Sequence, residues 1–177
     1  VTTLFKCLLS NKSEKYIENC EENKIEADPK KILGMTNEEI LSLFYDNYLY
    51  KKNDYGWSFK QELSYFKAKI LNFDLLDSKN GKILLTKGTK VNQKIINDFK
   101  KRNISNFTIN DNSLLGFFLA SDIIDEKSGK IFFEAGYEID EIFLQFINDN
   151  KINKIDILKA DNIEIGSYIR NTLQLDK

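Results

Sequence analysis

Histidine is missing from all 177 residues. That absence removes the commonest general acid/base and the commonest transition-metal ligand together. Any catalysis by this chain alone would have to rest on carboxylates, lysines or cysteines. Cysteine is scarce too: Cys7 and Cys20 are too few for a disulfide framework, and both are expected to be reduced thiols. No apolar run approaches the 18 or so residues of a membrane span, and no signal-peptide pattern opens the chain. Nor is there a surplus of one charge. Lysine and arginine number 26 against 27 acids, a net charge of -1. Affinity built on neutralising phosphates normally leaves a positive excess. The densest basic cluster, Lys100, Lys101 and Arg102, is short and has acids on its flanks, so nucleic acid is not indicated as a partner of this segment by itself.

What remains is a mixed chain, 42% hydrophobic and 30% charged, long enough for one good-sized core or two small ones. It opens at Val1 inside an apolar run (Leu4, Phe5, Leu8, Leu9), which reads as an internal start rather than a natural terminus. Residues 11–31 are rich in Lys, Glu and Asn and hold the one proline, Pro29; they read as a solvated helix or excursion. Thr36 and Glu39 form a capping-box pattern ahead of Ile40, Leu41, Leu43 and Phe44, which predicts a helix start. Tyr48, Tyr50, Trp57 and Phe59 then alternate around Asn53-Asp54-Tyr55-Gly56, the signature of a hairpin half buried by its aromatics. The competing reading of those aromatics is a stacking surface for bases.

The most informative pattern is internal. A shift of 48 positions aligns Asp74–Ile109 with Asp122–Ile157 without a gap. Asp74 falls on Asp122, Asp77 on Asp125, Lys79 on Lys127, and Gly81-Lys82-Ile83 on Gly129-Lys130-Ile131. Gly88 matches Gly136 and Asn92 matches Asp140, while Leu75/Ile123, Val91/Ile139, Ile96/Leu144 and Phe107/Ile155 keep their character. The chain therefore carries a duplication. Each copy predicts a strand, a polar turn with glycine, a second strand (82–86 or 130–134) and a glycine that redirects the chain. A capped helix and a short closing strand complete it. The helix stripes are Val91, Ile95, Ile96, Phe99 and Ile139, Ile142, Phe143, Phe146, Ile147. Units this small bury little apolar surface alone, so the copies are expected to pack on each other or on a host.

The candidate chemistry is thin. Asp74/Asp77 and Asp122/Asp125 are the first acids to weigh as a metal or acid/base site, and Asp77-Ser78-Lys79-Asn80-Gly81 faintly resembles the start of a calcium loop. Such a loop needs a bidentate Glu six residues after its glycine; Lys87 and Ala135 stand there instead, so the acids read as turn residues. The glycines do not open a helix with a Gly-Lys-Ser/Thr, which excludes a phosphate-binding loop of that kind. Cys7 has no histidine to activate it and reads as a small buried hydrophobe. Lys100, Lys101 and Arg102 fall in a last helical turn, where cations favour the macrodipole.

Laid end to end, these residues resemble one family. Val1-Thr2-Thr3-Leu4-Phe5, followed by Leu33-Gly34-Met35-Thr36-Asn37-Glu38-Glu39-Ile40-Leu41 and Phe44, is similar to the lobe of the β subunit of bacterial DNA-directed RNA polymerase. The two repeats, with Asp122-Ile123-Ile124-Asp125 and Ser128-Gly129-Lys130, resemble a lineage-specific insertion in that lobe. The run Ile165-Gly166-Ser167-Tyr168-Ile169-Arg170-Asn171-Thr172-Leu173 with Asp176 resembles the return into it. One departure is plain: Asn11 to Lys30 intervenes where the family passes almost directly onward.

The resemblance implies an α+β fold, with a helical and hairpin lobe segment (1–60), repeats at 61–112 and 113–160, and a return segment (161–177). It implies a part of a nucleotidyltransferase of transcription whose catalytic aspartates and magnesium lie elsewhere. No residue here is carried over as catalytic, cofactor-binding or metal-binding, and DNA-contacting residues stay unassigned. Implied partners are the remaining β subunit, the other polymerase subunits, downstream DNA and transcription factors on the insertion. The implied place is the bacterial cytoplasm, at the nucleoid, with no membrane. Two other classes stand beside this reading. One is a free-standing tandem β-α-β adaptor binding proteins through a strand edge. The other is a small carboxylate enzyme, which would need a cleft of acids with raised pKa values.

Overall fold

A computed structural model describes residues 2–26, 28, 32–61, 63–125, 128–159 and 166–175. Expectations resting on Val1, Pro29, Lys30, Lys127, Ile165 and Asp176 lie outside the described residues. The fold is α+β, and its elements run α1 (Thr2–Lys6), α2 (Asn11–Glu22), α3 (Asn37–Phe44), β1 (Asn47–Asn53), β2 (Gly56–Lys60), β3 (Leu75–Asp77), β4 (Ile83–Leu85), α4 (Gln93–Lys101), β5 (Asn106–Ile109), β6 (Ile123–Ile124), β7 (Ile131–Phe133), α5 (Glu141–Asp149), β8 (Lys154–Leu158) and α6 (Tyr168–Leu175). The chain forms two compact units: one from 1–47, 118–137 and 158–177, the other from 48–117 and 138–157.

The first unit is held by an apolar cluster of Ile40, Leu41, Tyr45, Ala120, Ala135, Leu158 and Leu173. Helix α3 starts where the sequence predicts. Thr36 accepts from the Glu39 amide and Glu39 accepts from the Thr36 amide, closing the capping box. The opening run, apolar in composition, is largely solvent-facing. Leu4 is 67% exposed, and Leu8 and Leu9 are exposed as well. The five-residue α1 sends Phe5 inward, edge-on to Phe44 at 5.4 Å. Helix α2 is a closed excursion: Leu9 bridges Gly34, the Ser10 amide donates to the Leu33 carbonyl, and the Ser13 hydroxyl both donates to and accepts from the Leu33 backbone. The extra segment therefore leaves and rejoins the chain at neighbouring positions and leaves the path on either side intact.

The second unit is built on a six-stranded sheet in the order β4-β3-β5-β2-β1-β8. The β1–β2 hairpin turns through Asp54-Tyr55, with the Tyr55 amide donating to the Asn53 side chain. Trp57, Phe59 and Tyr50 are buried, so this hairpin is packed by its aromatics and offers no stacking surface from those three rings. Gly56 sits at φ 136°, and a Cβ there would meet the Ile109 carbonyl oxygen at 2.3 Å. Close pairing of β2 on β5 needs that missing side chain.

The repeats form the expected β-β-α-β series twice, and their hydrogen bonds recur at the same shift. Gly81 N–H donates to the Asp77 carbonyl and Gly129 N–H to the Asp125 carbonyl, both at 2.8 Å. Gly88 bonds Leu71 as Gly136 bonds Leu119, again at 2.8 Å. Asn92 and Asp140 cap α4 and α5. The correspondence also extends further back than residue identity shows: short 3-10 turns at Leu63–Phe66 and Asp111–Leu114 are 48 positions apart, as are the left-handed Ala68 (φ 65°) and Gly116 (φ 81°). The closing strands β5 and β8 flank the β1–β2 hairpin on opposite sides. The first repeat keeps its hairpin in that sheet, through β3 on β5. The second sends β6–β7 to a separate two-stranded sheet, in the first unit. One stripe residue is corrected: Ile142 is 70% exposed and Leu144 is buried in its stead, which keeps the 3.6-residue period with Phe143 and Ile147.

Two stability measurements follow from this backbone. By chemical denaturation, Gly116→Ala is expected to cost about 1 kcal/mol and Ala68→Gly to gain about 0.5–1 kcal/mol, because both positions are left-handed. Equal signs would contradict the equivalence of the two turns. Gly56→Ala should lose about 2–3 kcal/mol through the clash with Ile109; an unchanged midpoint would mean that β2 and β5 are not tightly paired.

Candidate functional site

The acids singled out by the sequence are engaged in holding hairpins. The Asp77 carboxylate accepts from the Lys79 amide at 2.9 Å and from the Asn80 side chain at 3.2 Å. Asp125 accepts from the Ser128 hydroxyl at 2.6 Å. Asp74 accepts from the Lys87 amide at 2.6 Å, and Asp122 accepts from the Ala135 amide at 2.7 Å. The positions where a calcium loop would place its glutamate are thus backbone donors to the first acid of each pair. Among the described residues no group of three or more Cys, Asp or Glu side chains is placed to hold a metal ion.

Lys100 and Lys101 occupy the last turn of α4, with Arg102 at its C-cap. Arg102 pairs with Asp98 at 3.4 Å and lies 5.8 Å from the Phe99 ring centre. Cys20 is buried and free, but Cys7 is exposed, which overturns its expected burial. The short α1 turns Phe5 to the core and leaves Cys7 just past the helix end. Burial and the neighbouring Tyr48 push the Tyr50 phenol well above its ordinary range, so it stays neutral.

The first unit contains a contact that the residue pattern does not reveal. Arg170 of α6 donates from Nε to the Gly136 carbonyl at 2.6 Å, and its guanidinium lies 4.3 Å from the Phe118 ring centre. A Cβ at Gly136 would come within 3.3 Å of Leu41 and 3.4 Å of Gln174. The glycine that turns the chain in the first repeat thus also seats α6 in the second, a role set by tertiary neighbours with no local signal. Beside it lies a shallow pocket of about 310 Å³ lined by Ile131, Phe132, Phe133, Glu134, Tyr137 and Gln174. Within this same unit Leu4, Leu43, Tyr168 and Leu175 are exposed, Tyr168 at 80% and Leu175 at 84%. These side chains sit on helices α1, α3 and α6, which pack on one another, an arrangement suited to a surface that another polypeptide covers. This surface is the chain's strongest candidate for function.

No helix among the described residues is long and apolar enough to cross a membrane. No protein-family model matches the chain. Individual proteins do match. The β subunit of DNA-directed RNA polymerase from Rhizobium leguminosarum bv. trifolii is 35% identical over 145 residues, covering 82% of this chain and 10% of that protein. The β subunit from Caulobacter vibrioides is 32% identical over 145 residues, and that from Rickettsia prowazekii 34% over 147, each covering 82% of this chain and 11% of the relative. The chain spans about one tenth of the length of these relatives. Taken with the α+β architecture, they place the chain, as a segment, in the family of the DNA-directed RNA polymerase β subunit.

Proposed function

We propose that this chain is the lobe of a polymerase β subunit with a duplicated insertion, and that it serves transcription without performing chemistry. In this reading residues 1–60 and 161–177 belong to the lobe, and the two repeats at 61–112 and 113–160 are the insertion. The lobe forms part of the wall of the downstream DNA channel, and the insertion offers an outer surface to protein factors. Nucleotide addition and its magnesium belong to other parts of the enzyme, which works in the bacterial cytoplasm at the nucleoid.

The observation that carries this reading is the use of the acids. All four repeat aspartates accept hydrogen bonds within their own hairpins, which leaves them poorly suited to a metal or a proton relay. The exposed apolar residues of α1, α3 and α6 are suited to burial against the remaining β subunit and its partner subunits. A free-standing adaptor is the weaker reading, because the similarity to β subunits runs over 82% of the chain.

Two measurements on the assembled polymerase test the proposal. With Asp74, Asp77, Asp122 and Asp125 all changed to Asn, which keeps an acceptor oxygen, single-nucleotide addition should stay within about twofold and its magnesium dependence should not move. A loss of about a hundredfold in an intact assembly would overturn the non-catalytic role. Iron-EDTA tethered at Cys7, in an enzyme whose other reactive cysteines are replaced, should cut downstream duplex. Cuts confined to upstream DNA would overturn the channel reading.

A further inference from the structure

The near-neutral charge of the chain conceals a division between the two repeats. Over Asp74–Ile109 there are eight lysines or arginines against three acids, a net of +5; over Asp122–Ile157 there are four against nine, a net of −5. The turn, cap and helix-end hydrogen bonds recur in both copies although their hairpins lie in different sheets, so the charge difference is not demanded by those shared bonds. Nor is it a composition bias, which would load both copies alike. At matched positions the sign reverses or appears anew: Lys90 stands where the second copy has Glu138, Lys101 where it has Asp149, and Lys87 where it has Ala135.

Lys79, Lys82, Lys87, Lys90, Lys94 and Lys101 are all exposed, and among the described residues none of them is in an ion pair. Lys94 and Lys101 are seven residues apart on the outer face of α4, whose inner face buries Ile96 and Phe99. Two helical turns separate them by about 10 Å. Lys90, two residues before the cap residue Asn92, is exposed at the start of the same helix. A row of that length spans about six charges of a DNA duplex, which carries one per about 1.7 Å of its axis.

We infer that the first repeat carries a phosphate-binding face for duplex DNA, formed by β4, the turn before α4 and the outer side of α4, and that the second repeat has lost or never had it. Lysine favours this partner over an acidic protein. Lysine is depleted at protein–protein interfaces, whereas exposed lysines are ordinary partners of a phosphate backbone. Such a face would be insensitive to base sequence and sensitive to salt. The inference does not rest on the channel reading, because it follows from charges within one repeat.

The second copy supplies both the control and the substitutions. In the assembled polymerase on linear duplex DNA, a benzophenone amino acid replaces Asn97, on the outer side of α4, or Gln145, its counterpart on α5. The Asn97 probe is expected to crosslink to DNA and the Gln145 probe to give little. The triple change Lys87→Ala, Lys90→Glu, Lys101→Asp installs residues that the same backbone already accommodates in the second copy. It should cut the Asn97 yield at least about fivefold, as should raising salt from 50 to 200 mM, since each phosphate contact contributes about 0.9 to the salt slope. Equal yields from the two probes, a yield indifferent to the three lysines, or crosslinks from Asn97 to polypeptide alone would each overturn the inference. The iron-EDTA experiment at Cys7 reads the channel separately, so either proposal fails without the other.

Discussion

The second unit depends on the pairing of β2 with β5. Trp57 stands opposite Ile109, Ser58 opposite Thr108 and Phe59 opposite Phe107, and the two faces of the sheet are thereby fixed. A slip of one residue would turn one strand's pair, Trp57 and Phe59 or Phe107 and Ile109, to the other face, undoing the burial of two large apolar side chains. Polar groups pin the same register. Asn53 donates to the Thr108 hydroxyl, which donates in turn to Ser78, so the hairpin, the closing strand and the first-repeat turn share one chain of hydrogen bonds at a fully buried threonine. Once β5 is set on β2, β3 adds to β5 and β4 to β3, while β8 takes the other side of the hairpin.

Much of this was legible in the sequence because it is local. The capping box at Thr36, the hairpin around Asn53-Asp54-Tyr55-Gly56 and the caps at Asn92 and Asp140 each need a few neighbouring residues, and each forms. The duplication was legible because an ungapped shift is independent of tertiary context. What was not legible is tertiary. The opening run Leu4, Leu8, Leu9 looks buried by composition, yet a five-residue helix has one inward position, and Phe5 fills it. Ile142 and Leu144 exchange places because a helical stripe read from sequence leaves its phase uncertain by one residue. The separation of β6–β7 from the closing strand β8 depends on where each element packs, and the residues shared by the two copies do not encode it.

Charge shows the same limit in another form. Summed over the chain it is near zero and argues against a nucleic-acid partner. Compared copy against copy, it divides into a basic and an acidic repeat on one backbone. Duplication relieves one copy of constraint while both keep the residues that fold them: the turn aspartates, the glycines and the helix caps. Surface positions such as Lys90 and Glu138 then diverge at small energetic cost, since exposed charges contribute little to stability. Residues that specify the fold are thus distinct from those proposed to meet a partner: the turn acids hold the hairpins, and the first-repeat lysines form the proposed DNA face.

That separation turns on the claim that the carboxylates of this segment are structural. The most direct measurement is to load iron(II) in place of the magnesium that the proposal assigns to other parts of the assembled polymerase, and to map where the locally generated radicals cut the polypeptide. No cleavage within this segment is expected. Cuts at Asp74–Asp77 or Asp122–Asp125 would put these acids beside the reacting metal and contradict it.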